Sequence, residues 1–482
     1  LKRLRFALLF EGHSLERWHL RCLELLEECA DRADGGEVGN LDFVLKLGRG
    51  PVQPEMARAA RHGVWFFQHE TAADEWPFYR EVYEGQDVTH CALLAAGTSH
   101  GDVVLEQGWF RTQKRSYSAN RDRVLASIAA WPARACGRLL HGAATRAVRP
   151  PIPSASADRP RRPSLLRLGI RVAGRRLSFA WERLFRHPQW NIGVLPVSVE
   201  TLLRPGAYSD ASIEWFPLTD RRRFLADPFG IVRAGKLHVL YEDFEYRSEK
   251  GDIRALEHSE RGFTRQPEPA ISLPVHMSYP FLLEDQGETY CVPETGRAGE
   301  IALYRAVEFP GRWTKVAVLV GGFAGVDPTV FRHEGRWWLM CTEMGRDEDA
   351  ALWIWHAADL RGPWIPHARN PVKTDVRGSR PGGVPFVHDG GLYRPAQDCS
   401  RAYGWRIVIQ RVTALTPSEF AEEPAAVLEP SPDSPYPLGR HTLASAGDVV
   451  LIDGHRAVFV WPAFRSFLRI WGRDLAHRLR RR

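Results

Sequence analysis

Three carboxylates at matched places in a repeated pattern carry the strongest chemical signal in the sequence. Asp227 and Asp327 each stand before a proline, eight residues ahead of a glycine, and Glu294 follows a third such glycine by seven residues. Two carboxylates brought to one polar pocket, with a third nearby, are the parts that glycoside hydrolysis requires: an ionised base or nucleophile and a protonated acid. On that reading Asp227 is the base, Asp327 the orienting carboxylate and Glu294 the acid. A second reading lets the same pocket hold a sugar without cleaving it. Arg380, Arg394, Arg440 and His441 then supply donors, Trp405 a stacking face, and Tyr279, Glu343 and Asp398 further polar contacts. A third reading is structural, since acidic residues at sheet edges hydrogen-bond neighbouring sheets and Asp before Pro is a usual turn former.

The element that must position these residues is a repeat. Five copies of strand, glycine turn and aromatic or branched strand align on Gly235, Gly287, Gly335, Gly390 and Gly447, at intervals of 52, 48, 55 and 57 residues. That spacing is near the period of about 50 expected of large four-stranded propeller blades, and five blades close a ring without exposed sheet edges. Proline cannot donate to a sheet ladder and suits the first residues of a strand. Asp227, Tyr279, Asp327, Arg380 and Arg440 or His441 are thereby placed where the innermost strand of each blade begins, at the mouth of a central channel. A second polar register follows four of the glycines by seven or eight residues, at Asp243, Glu294, Glu343 and Asp398.

The motifs Ala226-Asp-Pro-Phe, Ser278-Tyr-Pro-Phe, Val326-Asp-Pro-Thr-Val-Phe and Arg394-Pro-Ala-Gln-Asp-Cys399, with Gln189-Trp-Asn-Ile-Gly193 ahead of them, resemble a known module. It is the propeller at the N-terminus of plant glucosamine inositolphosphorylceramide transferases and their bacterial relatives, and the resemblance covers roughly residues 187–460. That module is similar in fold to five-bladed glycosidases of the arabinanase and xylosidase type, where an Asp-Pro in the first blade carries the base. In the plant enzymes the transferase chemistry belongs to a separate domain, which this sequence does not display, so the resemblance does not imply glucosamine transfer here.

Ahead of the propeller, strand-like residues 6–10, 41–47 and 63–68 and helix-like residues 14–29 predict a small α/β sheet of Rossmann type. Leu41-Asp-Phe-Val-Leu-Lys-Leu-Gly, Ala59-Ala-Arg-His-Gly-Val-Trp-Phe-Phe-Gln-His69 and Gly101-Asp-Val-Val-Leu105 resemble the catalytic domain of folate-dependent formyltransferases over about residues 41–140. Position by position, His69 matches that family's histidine, Phe67 stands where its asparagine should be, and Ser99 takes the place of its aspartate ahead of the Gly101-Asp102 strand. The carboxylate and the amide that would activate the amine and polarise the formyl group are both missing. The connection from Cys29 to Leu41 is also too short for the whole nucleotide-type half of that fold. The resemblance implies a retained scaffold with lost chemistry, and residual formyl or acyl transfer to an amino sugar is the alternative.

The chain thus reads as multidomain: a degenerate formyltransferase-like α/β domain over 1–148, a Pro- and Arg-rich linker with a basic amphipathic helix over 149–188, an all-β five-bladed propeller over 189–460, and a basic amphipathic helix over 461–482. The net charge of +7 resides in the linker and the tail, which leaves the folded bodies mildly acidic. Leu166, Ile170, Ala173, Leu177, Ala180 and Leu184 share one helical face opposite several arginines. Such helices over 164–186 and 461–482 can rest on an anionic membrane surface or dock on the protein. Seven dispersed cysteines without a CxxC pair argue against disulfides and zinc and point to a reducing, cytoplasmic compartment. The expected partners are a glycan or lipid-linked sugar of the cell envelope and a partner glycosyltransferase. No cofactor or metal is expected, nor nucleic acid, because the arginines lack a recognition motif.

Overall fold

The structure is a computed structural model that describes residues 3–12, 14–33, 40–52, 60–71, 76–98, 101–140, 164–345 and 347–465. The Pro-rich linker through residue 163, Ser99 and most of the tail helix lie outside the described residues. The chain divides into two compact units, Leu1–Arg175 and Arg176–Arg482.

The first unit is a mixed sheet with strand order β2-β1-β3-β4-β5-β6. Its strands are β1 (Leu4–Glu11), β2 (Ala30–Arg32), β3 (Phe43–Gly48), β4 (Val64–Phe67), β5 (Val88–Thr98) and β6 (Gly101–Arg111). The first four run parallel, β5 runs antiparallel to β4, and β6 antiparallel to β5. A parallel strand covered on both faces reads as a continuous apolar run, and β3 is buried along its whole length. Phe43, Leu45 and Leu47 face the helices Arg17–Glu27, Tyr117–Ile128 and Trp131–Leu140, while Val44 joins Leu41 and Val64 on the opposite face. The expected α/β sheet is present.

The second unit is five antiparallel sheets. Blade 1 holds β9 (Arg223–Arg233) to β12 (Gly262–Arg265), and blade 2 holds β13 (Ser278–Asp285) to β16 (Arg312–Gly321). Blade 3 runs from β17 (Gly325–His333) to β20 (Ile365–Pro366) with β21 (Lys373–Thr374) at its side, and blade 4 from β22 (Phe386–His388) to β25 (Phe420–Leu428). Blade 5 joins β26 (Leu443–Ala446) and β27 (Val449–Val458) to β7 (His187–Leu195) and β8 (Glu214–Trp215). The first strand of the unit thereby pairs with its last, with Gly193 opposite Ile452, and no blade is left with an open seam.

The glycine turns are tight hairpins. In blades 1 to 4 both central residues have positive φ, as in Ala234 (49°) and Gly235 (74°), the geometry whose twist matches the flanking strands. In blade 5 only Gly447 is positive, at 61°, which accounts for the weaker fifth repeat. A second backbone feature recurs at the channel end of the inner strands. Asp227, Tyr279 and Asp327 have φ of 52°, 44° and 51°, and the ladder between the first two strands of each blade slips there. Each X-Pro pair is thus a bulge on a left-handed residue, a conformation costing about 1–3 kcal/mol outside glycine.

Helix Leu165–Phe185 forms as its periodicity predicts. Its stripe is not buried: Leu166, Ile170 and Leu177 are 75%, 64% and 73% exposed. No helix among the described residues is long and apolar enough to cross a membrane.

Candidate functional site

The three strained residues share one device. Each turns its backbone N–H out of the ladder, and a carboxylate of the preceding blade accepts it. Asp227 N donates to Asp453 Oδ2 at 3.3 Å, Tyr279 N to Asp227 Oδ2 at 3.1 Å, and Asp327 N to Glu294 Oε2 at 3.2 Å. The relay runs from blade 5 through blades 1 and 2 to blade 3. From there the Asp327 carboxylate continues it into blade 4, accepting from Arg380 Nε at 2.6 Å and Gln397 Nε2 at 2.7 Å. Thr442 of blade 5 donates to Asp227 Oδ1 at 2.6 Å, a second link between blades 5 and 1, and the backbone bonds Val384 N to Leu443 O and Leu443 N to Gly382 O join blade 4 to blade 5. Tyr279 braces the centre, its hydroxyl accepting from Gly383 N at 2.7 Å and lying 2.9 Å from Thr329 Oγ1.

Asp227, Glu294 and Asp327 are 4%, 7% and 2% exposed, so the electrostatics are those of a buried cluster. Burial raises Asp227 to about 6, with His441 pulling the other way and Asp327 and Asp453 adding to the rise. Burial likewise pushes Glu242 and Glu294 well above the usual carboxylate range, helped by Asp227 and Asp327 respectively. His441 has Nδ1 2.5 Å from Asp453 Oδ2 and Nε2 3.7 Å from Asp227 Oδ1. Burial disfavours its charge, yet the two carboxylates outweigh burial and raise its pKa, while Asp453 is lowered because His441 prevails over burial there. Possible ligand atoms of Asp227, His441 and Asp453 lie within 4.8 Å of one another, the one trio of metal-ligating type found among the described residues.

The second polar register divides into two faces. Ladder partners show that Glu294 opposes Ser278, the residue before Tyr279, and that Glu242 opposes Ala226 and Thr342 opposes Val326 in the same way. Gln397 sits at the matching place, seven residues after Gly390, and bonds Asp327. One residue on, the chain faces the other way. Asp243 there pairs with Arg223, Arg254 and Arg265, Asp398 pairs with Arg406, and Glu343 is exposed.

The structure therefore brings Asp227, Asp327, Glu294, Tyr279, Arg380 and His441 into one central network. Arg394 instead forms an ion pair with Glu422, at 2.6 Å, and Arg440 with Asp210, at 3.0 Å. Trp405 has the guanidinium carbons of Arg401 and Arg406 over its ring, at 4.2 and 3.9 Å. Sequence reasoning missed Gln397, Thr442, Asp453, Glu242 and two rings: Trp190 stacks on His441 at 3.9 Å, and Tyr403 meets it edge-on at 5.3 Å. Tyr403, 39% exposed, also lies under Arg380, whose Nη1 bonds Glu348 and Asp349. A seven-residue count from each glycine would have found Glu242 and Gln397.

In the N-terminal unit His69 is packed among Trp18, Phe67 and Phe78, with Nδ1 3.4 Å from Cys91 Sγ. Burial lowers it to about 4 against the pull of Glu70. Asp102 is exposed.

Residues 216–431 match the sequence model of a family described as glucosamine inositolphosphorylceramide transferase 1, N-terminal. The protein glucosamine inositolphosphorylceramide transferase 1 of Arabidopsis thaliana is 33% identical over 256 residues, 48% of this chain and 33% of its own length. Its namesake in Oryza sativa subsp. japonica is 32% identical over 248 residues, with the same shares of 48% and 33%. The chain thus spans about a third of the length of the curated relatives it matches, and the resemblance read from the Asp-Pro and Tyr-Pro motifs is found by comparison over the propeller. Among solved structures, Zg3597, a family 117 glycoside hydrolase of Zobellia galactanivorans, shows 18% identity and a TM-score of 0.36, covering 57% of this chain and 91% of its own. The exo-β-1,3-galactanase 1,3Gal43A of Clostridium thermocellum shows 13% identity and a TM-score of 0.36, with coverage of 46% and 57%.

Proposed function

We propose that the propeller binds the sugar of a glycan or glycolipid head group at the mouth of its central channel and holds it intact. The observation that carries this reading is the engagement of Asp227, the residue in the place of the base. A base or nucleophile needs a free lone pair facing the substrate, and an acid needs a proton it can deliver. Asp227 has both oxygens engaged by blades 2 and 5, while Asp327 is tied through Oδ2 alone to Arg380 and Gln397 and Glu294 through Oε2 alone to the Asp327 amide. The groups with exposed surface beside this network are Tyr403 and Glu348, a flat ring with a polar neighbour that suits a pyranose.

The relatives' name speaks of glucosamine and inositolphosphorylceramide, and what this chain shares with them is this module, which favours a glycolipid head group as ligand. Because the match covers a third of those relatives, service to a partner glycosyltransferase is part of the reading. The exposed stripe of helix Leu165–Phe185, opposite its arginines, supports a peripheral place on an anionic membrane surface facing the cytoplasm.

The test is a glycan-array screen of the full chain, with product analysis of every hit by mass spectrometry. Binding of an intact ligand, weakened by Tyr403→Ala, is the expected result. Release of a monosaccharide that is lost in Asp227→Asn would replace binding by hydrolysis.

A further inference from the structure

The N-terminal sheet holds a second feature, independent of the propeller. Its strand order places β1 between β2 and β3, so the connections leaving β1 and β3 depart to opposite sides of the sheet. Open α/β sheets bind ligands in the crevice outside the carboxyl ends of the strands at such a switch point. A cleft of about 400 Å³ lies there, lined by the end of β1 at Glu11, the end of β3 at Gly48 and Arg49, and His69 and Glu70 after β4.

Glu70 is the telling group. It is 7% exposed, and its Oε1 accepts from Gly48 N at 2.9 Å and lies 2.8 Å from His19 Nε2. The Nδ1 of His19 takes the amide of Glu16 at 3.0 Å, which puts the imidazole proton on Nε2, toward Glu70. Oε1 is therefore fixed by two donors, whereas Oε2 is buried with no hydrogen-bond partner. A buried carboxylate oxygen without a donor costs several kcal/mol unless a ligand supplies one. The other acids of the cleft are answered within the protein: Glu11 lies 3.7 Å from Lys46 Nζ, and Glu16 2.7 Å from Arg121 Nη2. Arg49 also lines the wall, where its charge and that of Glu70 act on His69 in opposite senses. Half-buried Trp76 and Tyr117, 5.6 Å apart, supply flat apolar surface beside these groups.

We infer that this cleft is a second ligand site, taking a small neutral polyol ring whose hydroxyl donates to Glu70 Oε2 while its face lies on Trp76 and Tyr117. A neutral ring fits better than an ion because the three acids of the lining are matched by Arg49, Arg121 and, behind Glu11, Lys46. Glu70 is the anchor, and His19 and Gly48 are positioning groups that hold its carboxylate in one orientation.

Saturation-transfer NMR on the full chain tests this with glucose, galactose and myo-inositol, and with glucosamine as the ammonium-bearing comparison. At least one neutral probe should bind. Glu70→Gln, which keeps an acceptor for His19 and Gly48, should weaken it about tenfold or more, as loss of a hydrogen bond to a charged group does. Trp76→Ala, at the half-buried rim, should weaken it also and serves if Glu70→Gln fails to fold by circular dichroism. Absence of binding by all neutral probes, binding by glucosamine alone, or binding that survives both substitutions and so belongs elsewhere would each overturn the assignment.

Discussion

Replacing Arg380 by Met tests whether the central carboxylates are structural links between blades. The Arg380 and Asp327 side chains are 6% and 3% exposed and meet at 2.6 Å, and Gln397 is the other donor to the same oxygen. Arg380 also bonds Glu348 and Asp349 through Nη1. Removing it strands the Asp327 charge in the interior, which costs about 3–5 kcal/mol, whereas loss of a surface pair costs at most about 1 kcal/mol. Adding Asp327→Asn removes the stranded charge and keeps an acceptor for Gln397, so the double variant should recover about half of the loss or more. The assay is urea unfolding of the full chain followed by tryptophan fluorescence. The two compact units are not assumed to unfold together, so each transition is fitted separately. A loss under about 1 kcal/mol for Arg380→Met, or a double variant no more stable than the single one, would refute the reasoning.

Three other outcomes are expected. Between pH 3.8 and about 6, folded Asp227 holds a proton that the unfolded chain has released, so its contribution to stability falls as pH rises, by ~3 kcal/mol in all. His441, raised in the folded state, loses its contribution in the same direction above its unfolded value, while Asp453, lowered, loses its own as pH falls below 3.8. Urea midpoints of the propeller should therefore be highest on the acid side of neutrality, and a steady rise from pH 5 to 8 would contradict the charge assignments. Tyr279→Phe should cost about 1–3 kcal/mol in the same assay by leaving the Gly383 amide without its acceptor, and a cost near zero would mean that the hydroxyl braces nothing. Sedimentation with phosphatidylserine vesicles should pull down the chain, and Leu177→Asp should weaken that binding about tenfold, since burying one leucine contributes about 1.5–3 kcal/mol; equal binding by the variant would remove the stripe from the membrane account.

The propeller was legible because its signals are local and repeat. A glycine at the second central position of a two-residue hairpin is set by backbone sterics, and Asp-Pro marks the place where a strand leaves its ladder. The residues that complete the ring were harder to read because their role depends on registers between distant segments. Asp453 and Thr442 reach Asp227 across 226 and 215 residues of sequence, and no spacing encodes that. Asp398 was singled out over Gln397 because a carboxylate attracts attention and an amide does not, although the amide is one residue nearer the glycine and lies on the central face. In the N-terminal unit the resemblance drew attention to His69. Glu70 beside it carries the unpartnered oxygen, and only the burial of that oxygen distinguishes it.

The bulges explain why the centre of the ring is acidic. A left-handed residue before proline presents its own N–H to the channel, and the following proline has no N–H to return to the ladder. An apolar centre would leave three such donors unsatisfied, at Asp227, Tyr279 and Asp327, at a cost of about 1–3 kcal/mol each. Asp453, Asp227 and Glu294 are what those three amides require. Two of the donor-bearing residues are themselves aspartates, so each supplies a donor to the preceding blade and an acceptor to the next, which links the blades in series. A ligand that approached Asp227 would have to displace a protein donor from it. The mouth of the channel, where Tyr403 covers Arg380, offers its ring without that displacement, and a sugar is expected to sit there above the acids.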